Sequence, residues 1–362
     1  MLNNLIDFND LSLSEWENLF SLGVDIYANP AKYSERCKGK ILATLFYEPS
    51  TRTKFSFQAA IIKLGGNVIG FDGIASSSVS KGESLRDTVK IVANYADAIV
   101  IRNANEGAAF AASLYSEVPI INAGDGGHFH PTQTMTDLFT IGTIGNGENK
   151  KLTGLDIGIC GDLLNGRTVH SLLRAFSLYG GNTFYFISTP SLQVPEIFVS
   201  DLRKNNAIII CGTIEECIGK LDVLYMTRIQ RERFADKAEY EKQRGIYILD
   251  KEKLSKAKDD LIILHPLPKN EEISPEVDDD ERAKYFKQAE LGLYIRMALL
   301  IKIFENAGRK EKEAEKIAAG FINSVKRCAN PKCITQTEKY LPNIVKPGFG
   351  EVSYCAYCEH KI

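Results

Sequence analysis

Ile41-Leu42-Ala43-Thr44-Leu45-Phe46-Tyr47-Glu48-Pro49-Ser50-Thr51-Arg52-Thr53 is the stretch that decides how this chain is read. Its first five residues form an apolar run with the length of a buried strand, and the segment after Thr53 places Phe55, Ala59 and Ile62 at helical spacing. Pro49 stops the strand, Ser50 is suited to the N-cap, and no glycine follows until Gly65-Gly66 mark the helix end. The stretch is therefore a strand-to-helix turn. The hydroxyls of Ser50, Thr51 and Thr53 gather with free backbone N–H groups at the positive end of a helix, and Arg52 adds a full charge and a planar fork of donors. Such a turn suits an anion, phosphate above all. Taken alone, the same four residues also fit an ordinary N-cap beside a surface arginine.

The chain has 362 residues, room for two or three domains, and its 44% hydrophobic content with mixed charge is that of a soluble globular enzyme. A net charge of −2 argues against a nucleic-acid partner. It hides an asymmetry, because residues 302–362 hold 11 Lys/Arg against 7 Asp/Glu while the rest is acidic, which sets the tail apart. No apolar stretch follows a basic start and no apolar run approaches a membrane span, so a cytoplasmic chain without membrane contact is expected. Cys37, Cys160, Cys211 and Cys217 are scattered without pairing distances and read as reduced core residues.

Outward from the turn, short apolar runs recur. Residues 67–71, 98–101 and 119–122 continue a first set of strands. Residues 155–160, 183–187, 207–210, 223–226 and 261–264 make a second, with helical patterns between. Helices are expected over Leu13–Leu22, with Trp16 in the core, from Val89 to Tyr95, over 132–144, from Val169 to Tyr179 and from Ala289 to Ile303. Strand–helix alternation means parallel sheets covered on both faces. The fold expected is α/β, two doubly wound parallel-sheet domains plus a small C-terminal four-cysteine zinc domain. Gly142, Gly145, Gly147 and a polar run to Lys151 place the boundary near 145–150. The division expected is 1–147, joined by a returning helix 286–304, then 148–285, a linker 305–326 and a tail domain 327–362.

Several residues stand where chemistry is expected. Arg102 ends a buried parallel strand, where open α/β sheets bind ligands. His130 lies just before Pro131, a helix-starting proline that exposes it ahead of the first turn. Residues 75–84 form a Ser/Gly-rich loop of the solvated, mobile kind. Gly161–Thr168 approaches a Walker phosphate loop but carries Arg167 where that loop needs lysine, and no acidic strand motif for magnesium accompanies it.

Ser-Thr-Arg-Thr at 50–53, Lys-Gly-Glu at 81–83, Arg102, His-Pro-Thr-Gln at 130–133, the Arg167 loop, Thr-Arg-Ile-Gln at 227–230 and His-Pro-Leu-Pro at 265–268 together resemble the aspartate and ornithine carbamoyltransferases over roughly residues 1–305. The resemblance implies that Ser50, Thr51, Arg52 and Thr53 hold the phosphate of carbamoyl phosphate. It implies that Thr53, Arg102 and His130 polarise the carbamoyl oxygen, with Gln133 beside them. It also implies that Lys81 and Ser77 reach into the site of a neighbouring subunit, and that Arg167, Arg228 and Gln230, with Leu267 and Pro268, receive the amino-acid substrate. Two arginines fit L-aspartate, whereas ornithine presents an ammonium, and Pro266 stands where the ornithine branch has cysteine. The partners implied are carbamoyl phosphate, L-aspartate and further copies of the chain, in a homotrimer or larger homo-oligomer with shared sites, serving pyrimidine synthesis. No cofactor for catalysis is implied. A carbamoyltransferase for another amino acid, and a catalytically silent binding protein on the same fold, are the alternatives.

The tail ends in Cys328-x4-Cys333-x21-Cys355-x2-Cys358, two short pairs that fit one closed, structural, tetrahedral zinc site per chain. His360 is expected to be exposed rather than a ligand. Cys-x-Asn-x-x-Cys-Ile and Cys-x-Tyr-Cys-Glu make the tail similar to the zinc domain of the regulatory chain of the aspartate branch.

Overall fold

The computed structural model describes residues 2–144, 152–229, 237–243, 245–306, 321–347 and 352–362. The expected boundary at 145–150 and most of the expected linker lie outside the described residues. The chain divides into one compact unit made of Met1–Thr132 with Leu293–Ile362, and a second made of Gln133–Gly292.

The opening stretch folds as its pattern dictates. Five of the six residues of β1 (Ile41–Phe46) are buried, and the helix after the turn, α2 (Thr51–Lys63), ends in a turn at Gly65, whose φ of +83° suits glycine. Ahead of them α1 (Leu13–Ala28) buries Trp16, Leu19 and Ile26. In the first unit β1 pairs with β2 (Asn67–Asp72) on one side and β3 (Ala98–Asn103) on the other, and β4 (Ile120–Asp125) completes a parallel sheet of order β2-β1-β3-β4. The chain leaves β1 toward β2 and returns to β3 on its other edge. The carboxyl ends of β1 and β3 therefore flank a switch point, the place where doubly wound sheets bind ligands.

Two helices of this unit depart from expectation. Instead of Val89–Tyr95, the helix is α3 (Leu85–Val92), because Ser84 caps it, its Oγ accepting the Asp87 N–H at 3.1 Å, and the turn through Tyr95 is no longer helical. A further helix, α4 (Ala108–Tyr115), was not legible. Six of its eight residues are buried, so it lacks the polar face that reveals a surface helix.

The second unit repeats the logic with β5 (Asp156–Cys160), β6 (Thr183–Ile187), β7 (Ala207–Cys211), β8 (Val223–Met226) and β9 (Ile262–Leu264), all parallel in the order β7-β6-β5-β8-β9. All nine strands read from the sequence are present. Helices Pro131–Ile144, named α5, and Arg167–Phe176, named α6, follow β4 and β5, and a closing helix runs from Tyr285 to Asn306.

The tail adds an antiparallel sheet, β10 (Ile322–Asn323), β11 (Ile344–Pro347) and β12 (Ser353–Cys355). It packs on α3 and α4 and shares one core with them. Leu85, Val89, Ala108 and Ala112 are buried in the same cluster as Ile334, Leu341, Ile344 and Tyr357. Phe110 lies 5.5 Å from Tyr357 and 5.3 Å from Phe321 between ring centroids. Gly107, at φ +83°, is required by this packing, since a side chain there would meet Tyr357 Cβ at 2.5 Å. The loop after β3 is bridged to the tail backbone, Glu106 N–H donating to Lys332 O and Ile334 N–H to Glu106 O, both at 2.9 Å.

Candidate active site

In the first unit the residues singled out by sequence lie at the carboxyl ends of neighbouring strands. Phe46, at the end of β1, is level with Arg102 at the end of β3, and the Tyr47 N–H donates to Arg102 O at 2.9 Å. The turn carrying Ser50–Thr53 is thereby held beside Arg102. Thr53 is buried in the first turn of α2, while Thr51 and Arg52 face outward. Ser50 occupies the N-cap, and its hydroxyl accepts no capping hydrogen bond from the backbone of the first turn. Arg102 is only 8% exposed; its Nη1 donates to Ala123 O at 3.4 Å, and its Nε lies 3.5 Å from Glu48 Oε2. Sequence reading missed Glu48. Its place directly after β1 and opposite Arg102 follows only from the β1–β3 pairing.

His130 is buried, with Nδ1 at 3.4 Å from Thr132 Oγ1, immediately ahead of α5, where Pro131 takes the first helical position. Its loop is shaped by Asp125, whose carboxylate accepts the N–H groups of Gly107 at 2.8 Å and Phe129 at 2.9 Å and meets His128 Nδ1 at 3.1 Å. Burial would lower the His128 pKa, but Asp125 and Glu359 outweigh it and push the imidazole up to about 9.

The loop expected to carry Ser77 and Lys81 forms two short 3-10 turns, Ile74–Ser76 and Ser78–Lys81. Ser77 Oγ donates to Ile74 O, Lys81 is exposed, and Glu83 Oε1 accepts the hydroxyls of Ser78 and Thr88, both at 2.8 Å.

In the second unit Gln133 Nε2 donates to Asp137 Oδ1 at 2.7 Å. The same buried carboxylate accepts from Gln288 Nε2 at 2.6 Å and from the Tyr225 hydroxyl at 3.0 Å. The loop after β5 meets the end of β8. Gly161 at φ +115° approaches so closely that a Cβ would lie 2.2 Å from Thr227 O, and Thr227 Oγ1 donates to Cys160 O at 2.8 Å. This brings the two segments carrying Arg167, at the start of α6, and Arg228, after β8, to adjacent strand ends; both side chains are half-buried. Arg228, Thr227, Tyr240, Tyr247, Asn270 and Glu272 line a pocket here. Gln230 lies outside the described residues. After β9, the Leu267 N–H donates to His265 Nδ1 at 2.7 Å, and His265 Nε2 lies 2.8 Å from Glu272 Oε1. That relay supports Leu267, at φ +56°, ahead of a cis Leu267–Pro268 bond. Burial would raise the Glu272 carboxyl, but hydrogen bonds, chiefly from His265, hold it below its ordinary value.

The four tail cysteines converge. Their buried Sγ atoms all lie within 4.8 Å of one another, Cys328–Cys358 at 3.6 Å and Cys333–Cys355 at 3.8 Å. A disulfide would need about 2.05 Å. A tetrahedron with metal–sulfur bonds of about 2.3 Å separates its sulfurs by roughly 3.8 Å, so the donor set fits zinc. His360 is exposed. Among the described residues no helix is long and apolar enough to cross a membrane.

The family description "Aspartate/ornithine carbamoyltransferase, carbamoyl-P binding domain" matches residues 3–143, and "Aspartate/ornithine carbamoyltransferase, Asp/Orn binding domain" matches residues 153–303. The aspartate carbamoyltransferase catalytic subunit of Clostridium novyi is 56% identical over 301 residues, 83% of this chain and 97% of that one. Among solved structures, the catalytic subunit of M. jannaschii aspartate transcarbamoylase aligns with a TM-score of 0.78 at 45% identity, over 85% of this chain and 100% of its own. The Trypanosoma cruzi aspartate transcarbamoylase in complex with carbamoyl aspartate and phosphate aligns with a TM-score of 0.78 at 33% identity, over 83% and 96%. Both family descriptions end before the tail cysteines. With its two parallel sheets matched over residues 3–143 and 153–303, this chain belongs to the aspartate/ornithine carbamoyltransferase family.

Proposed function

We infer that this chain is a transferase that moves the carbamoyl group of carbamoyl phosphate to the amino group of L-aspartate, giving N-carbamoyl-L-aspartate and phosphate for pyrimidine biosynthesis. The observation that carries the reading is its 53–56% identity to aspartate carbamoyltransferase catalytic subunits over most of its length. The strand-end geometry agrees with it.

The aspartate amine attacks the carbamoyl carbon, the carbonyl oxygen takes on negative charge, and the C–O bond to phosphate then breaks. Phosphate leaves with that electron pair and accepts the amine proton. Ser50, Thr51, Arg52 and Thr53 would hold the phosphate at the start of α2. Thr53, Arg102 and His130 would donate to the developing oxyanion, where preorganised donors act most strongly. Arg102 suits the task because Glu48 and Ala123 O already fix its guanidinium. Gln133 would assist the carbamoyl group. Arg167, Arg228 and Gln230 would orient the two carboxylates of aspartate, with the backbone at Leu267 and Pro268 completing the pocket. Positioning and charge stabilisation carry the rate, without a covalent intermediate.

We read Lys81 and Ser77 as belonging to the site of an adjacent copy, in a homotrimer or larger assembly. Lys81 is exposed, and α2 presents Phe55 and Ile62, 60% and 57% exposed and seven residues apart on one face, a surface a second copy would cover. The tail is read as a zinc module like that of the regulatory chain, with Cys328, Cys333, Cys355 and Cys358 as ligands and a purely structural role for the metal. A cytoplasmic location accords with four thiols held free for a metal.

Steady-state assays with aspartate and with ornithine test the reading. Aspartate should turn over and ornithine should not; equal rates with both would overturn the assignment.

A further inference from the structure

We propose that the C-terminal tail is part of the active-site apparatus, with Glu338 and Tyr340 as positioning residues that fix the root of the loop carrying Ser77 and Lys81. The inference rests on the reading of Lys81 as a substrate-binding residue.

The first N–H groups of a helix have no partner within it and must find one elsewhere. In α3 the third, on Asp87, is taken by Ser84 Oγ from its own loop. The first two are taken by the tail. Leu85 N–H donates to Glu338 Oε1 at 3.1 Å and Arg86 N–H to the Tyr340 hydroxyl at 2.8 Å. The partners are 253 and 254 residues apart in sequence. The Arg86 guanidinium also lies 4.5 Å from the centre of the Tyr340 ring, and Tyr115 packs on that ring from α4 at 5.6 Å. Glu338 adds a carboxylate at the positive end of the helix, where it is most favourable.

From this anchor a short chain of bonds reaches the loop. Thr88 of α3 and Ser78 of the loop donate to the same Glu83 oxygen, so fixing the first turn of α3 fixes Glu83, and Glu83 fixes the turn Ser78–Lys81. Lys81 stands four residues before the anchored Leu85. At its other end the loop is held to the strand ends, where Ser76 Oγ donates to Asp72 O at 2.6 Å and Gly73 N–H donates to Phe46 O at 2.7 Å. The hydroxyl contacts between, from Ser77 to Ile74 O and Ser80 to Ser77 O, are local, so on the Lys81 side the Glu83 bonds are what join the loop to α3.

Docking of the tail does not depend on these two acceptors. The Glu106 bridge, the contact of Gly107 with Tyr357 and the Phe110 aromatic cluster hold it independently. Loss of the Glu338 and Tyr340 acceptors should therefore free the loop root while leaving the tail seated.

The test uses the full-length, zinc-loaded chain. Glu338→Leu combined with Tyr340→Phe removes both acceptors and keeps both volumes. The expected result is a three- to tenfold rise in KM for carbamoyl phosphate, below the roughly 25-fold that two hydrogen bonds at about fivefold each would give at full effect because these act on Lys81 indirectly, with zinc content unchanged. Amide exchange at Leu85 and Arg86 should accelerate. Glu338→Gln, which keeps an acceptor oxygen, should recover most of the loss in its half of the pair. In a Lys81→Ala background the double variant should cost nothing further, because its effect runs through Lys81. An unchanged KM, or an equal loss with and without Lys81, overturns the proposal. Should the double variant lose zinc, Tyr340→Phe alone, which retains the ring over Arg86, is judged by the same criteria. If Lys81→Ala itself leaves carbamoyl phosphate turnover intact, the reading of Lys81 falls and this inference with it. If Lys81 matters and the tail variants do not, only the inference falls.

Discussion

Glu48 Oε2 lies 3.5 Å from Arg102 Nε across the ends of β1 and β3. Arg102 is nearly buried and Glu48 is partly open, so the carboxylate offsets a guanidinium charge held away from bulk water. Removing its charge with Glu48→Gln leaves Arg102 freer to rotate. The expected outcome is a fall in kcat/KM of about tenfold, as one ion pair that helps to orient Arg102 is lost, with thermal stability little changed. Steady-state kinetics with both substrates and a melting curve check it.

Lys81 and Arg52 are assigned to sites built from different copies, which predicts complementation. Arg52→Ala and Lys81→Ala proteins should each lose most activity while keeping their folds, since both side chains are exposed. Mixed under conditions of subunit exchange, they should regain part of it, because a mixed oligomer contains intact sites. Mass spectrometry of the mixture establishes exchange; zero activity after proven exchange places the loop within its own subunit.

Zinc analysis should find about one metal per chain. Cys355→Ser should release it, since one lost thiolate opens a closed four-sulfur site. Because Ile334, Leu341 and Tyr357 share a core with α3 and α4, the loss should also lower the melting temperature of the whole first unit rather than melt the tail alone. A melting curve with a separate low-temperature tail transition and an unchanged main one would contradict the shared core.

How far the sequence could carry this reading depends on what is local. All nine strands of the two sheets, the turn at Ser50–Thr53 and the four-cysteine spacing are written in short periodic or spaced patterns, and each is visible in a window of a few residues. The α4 helix escaped because burial on nearly every side erases amphipathic period, and Ala108–Tyr115 is alanine-rich. The start of α3 was misplaced because its capping is split between Ser84 and two tail residues more than 250 positions away. Glu48 opposite Arg102, the His265–Glu272 relay and the seat of the tail on α3 and α4 are consequences of strand order and packing, which no window contains.

His128 gives the seat of the tail a pH dependence. The imidazole is buried, with Nδ1 3.1 Å from Asp125 Oδ2 and Nε2 3.8 Å from Glu359 Oε2 of the tail, and Lys346 Nζ balances Glu359 at 3.1 Å. Its pKa in the folded chain is raised to about 9 from an ordinary 6.5. A group whose pKa is raised on folding stabilises the folded state fully below its unfolded value and loses that contribution as pH climbs through the folded one. The window is therefore about 6.5 to 9, and the contribution at its acidic end is on the order of 2–3 kcal/mol. His128→Gln keeps a polar side chain of similar size but no charge. The melting temperature of the full chain should fall below that of the unaltered protein by the largest margin near pH 6. The margin should narrow as pH rises and be small above pH 9, where the native imidazole is also neutral. A gap independent of pH across this range would mean that His128 contributes by packing on Phe129, whose ring centroid lies 3.7 Å away, and not by its charge.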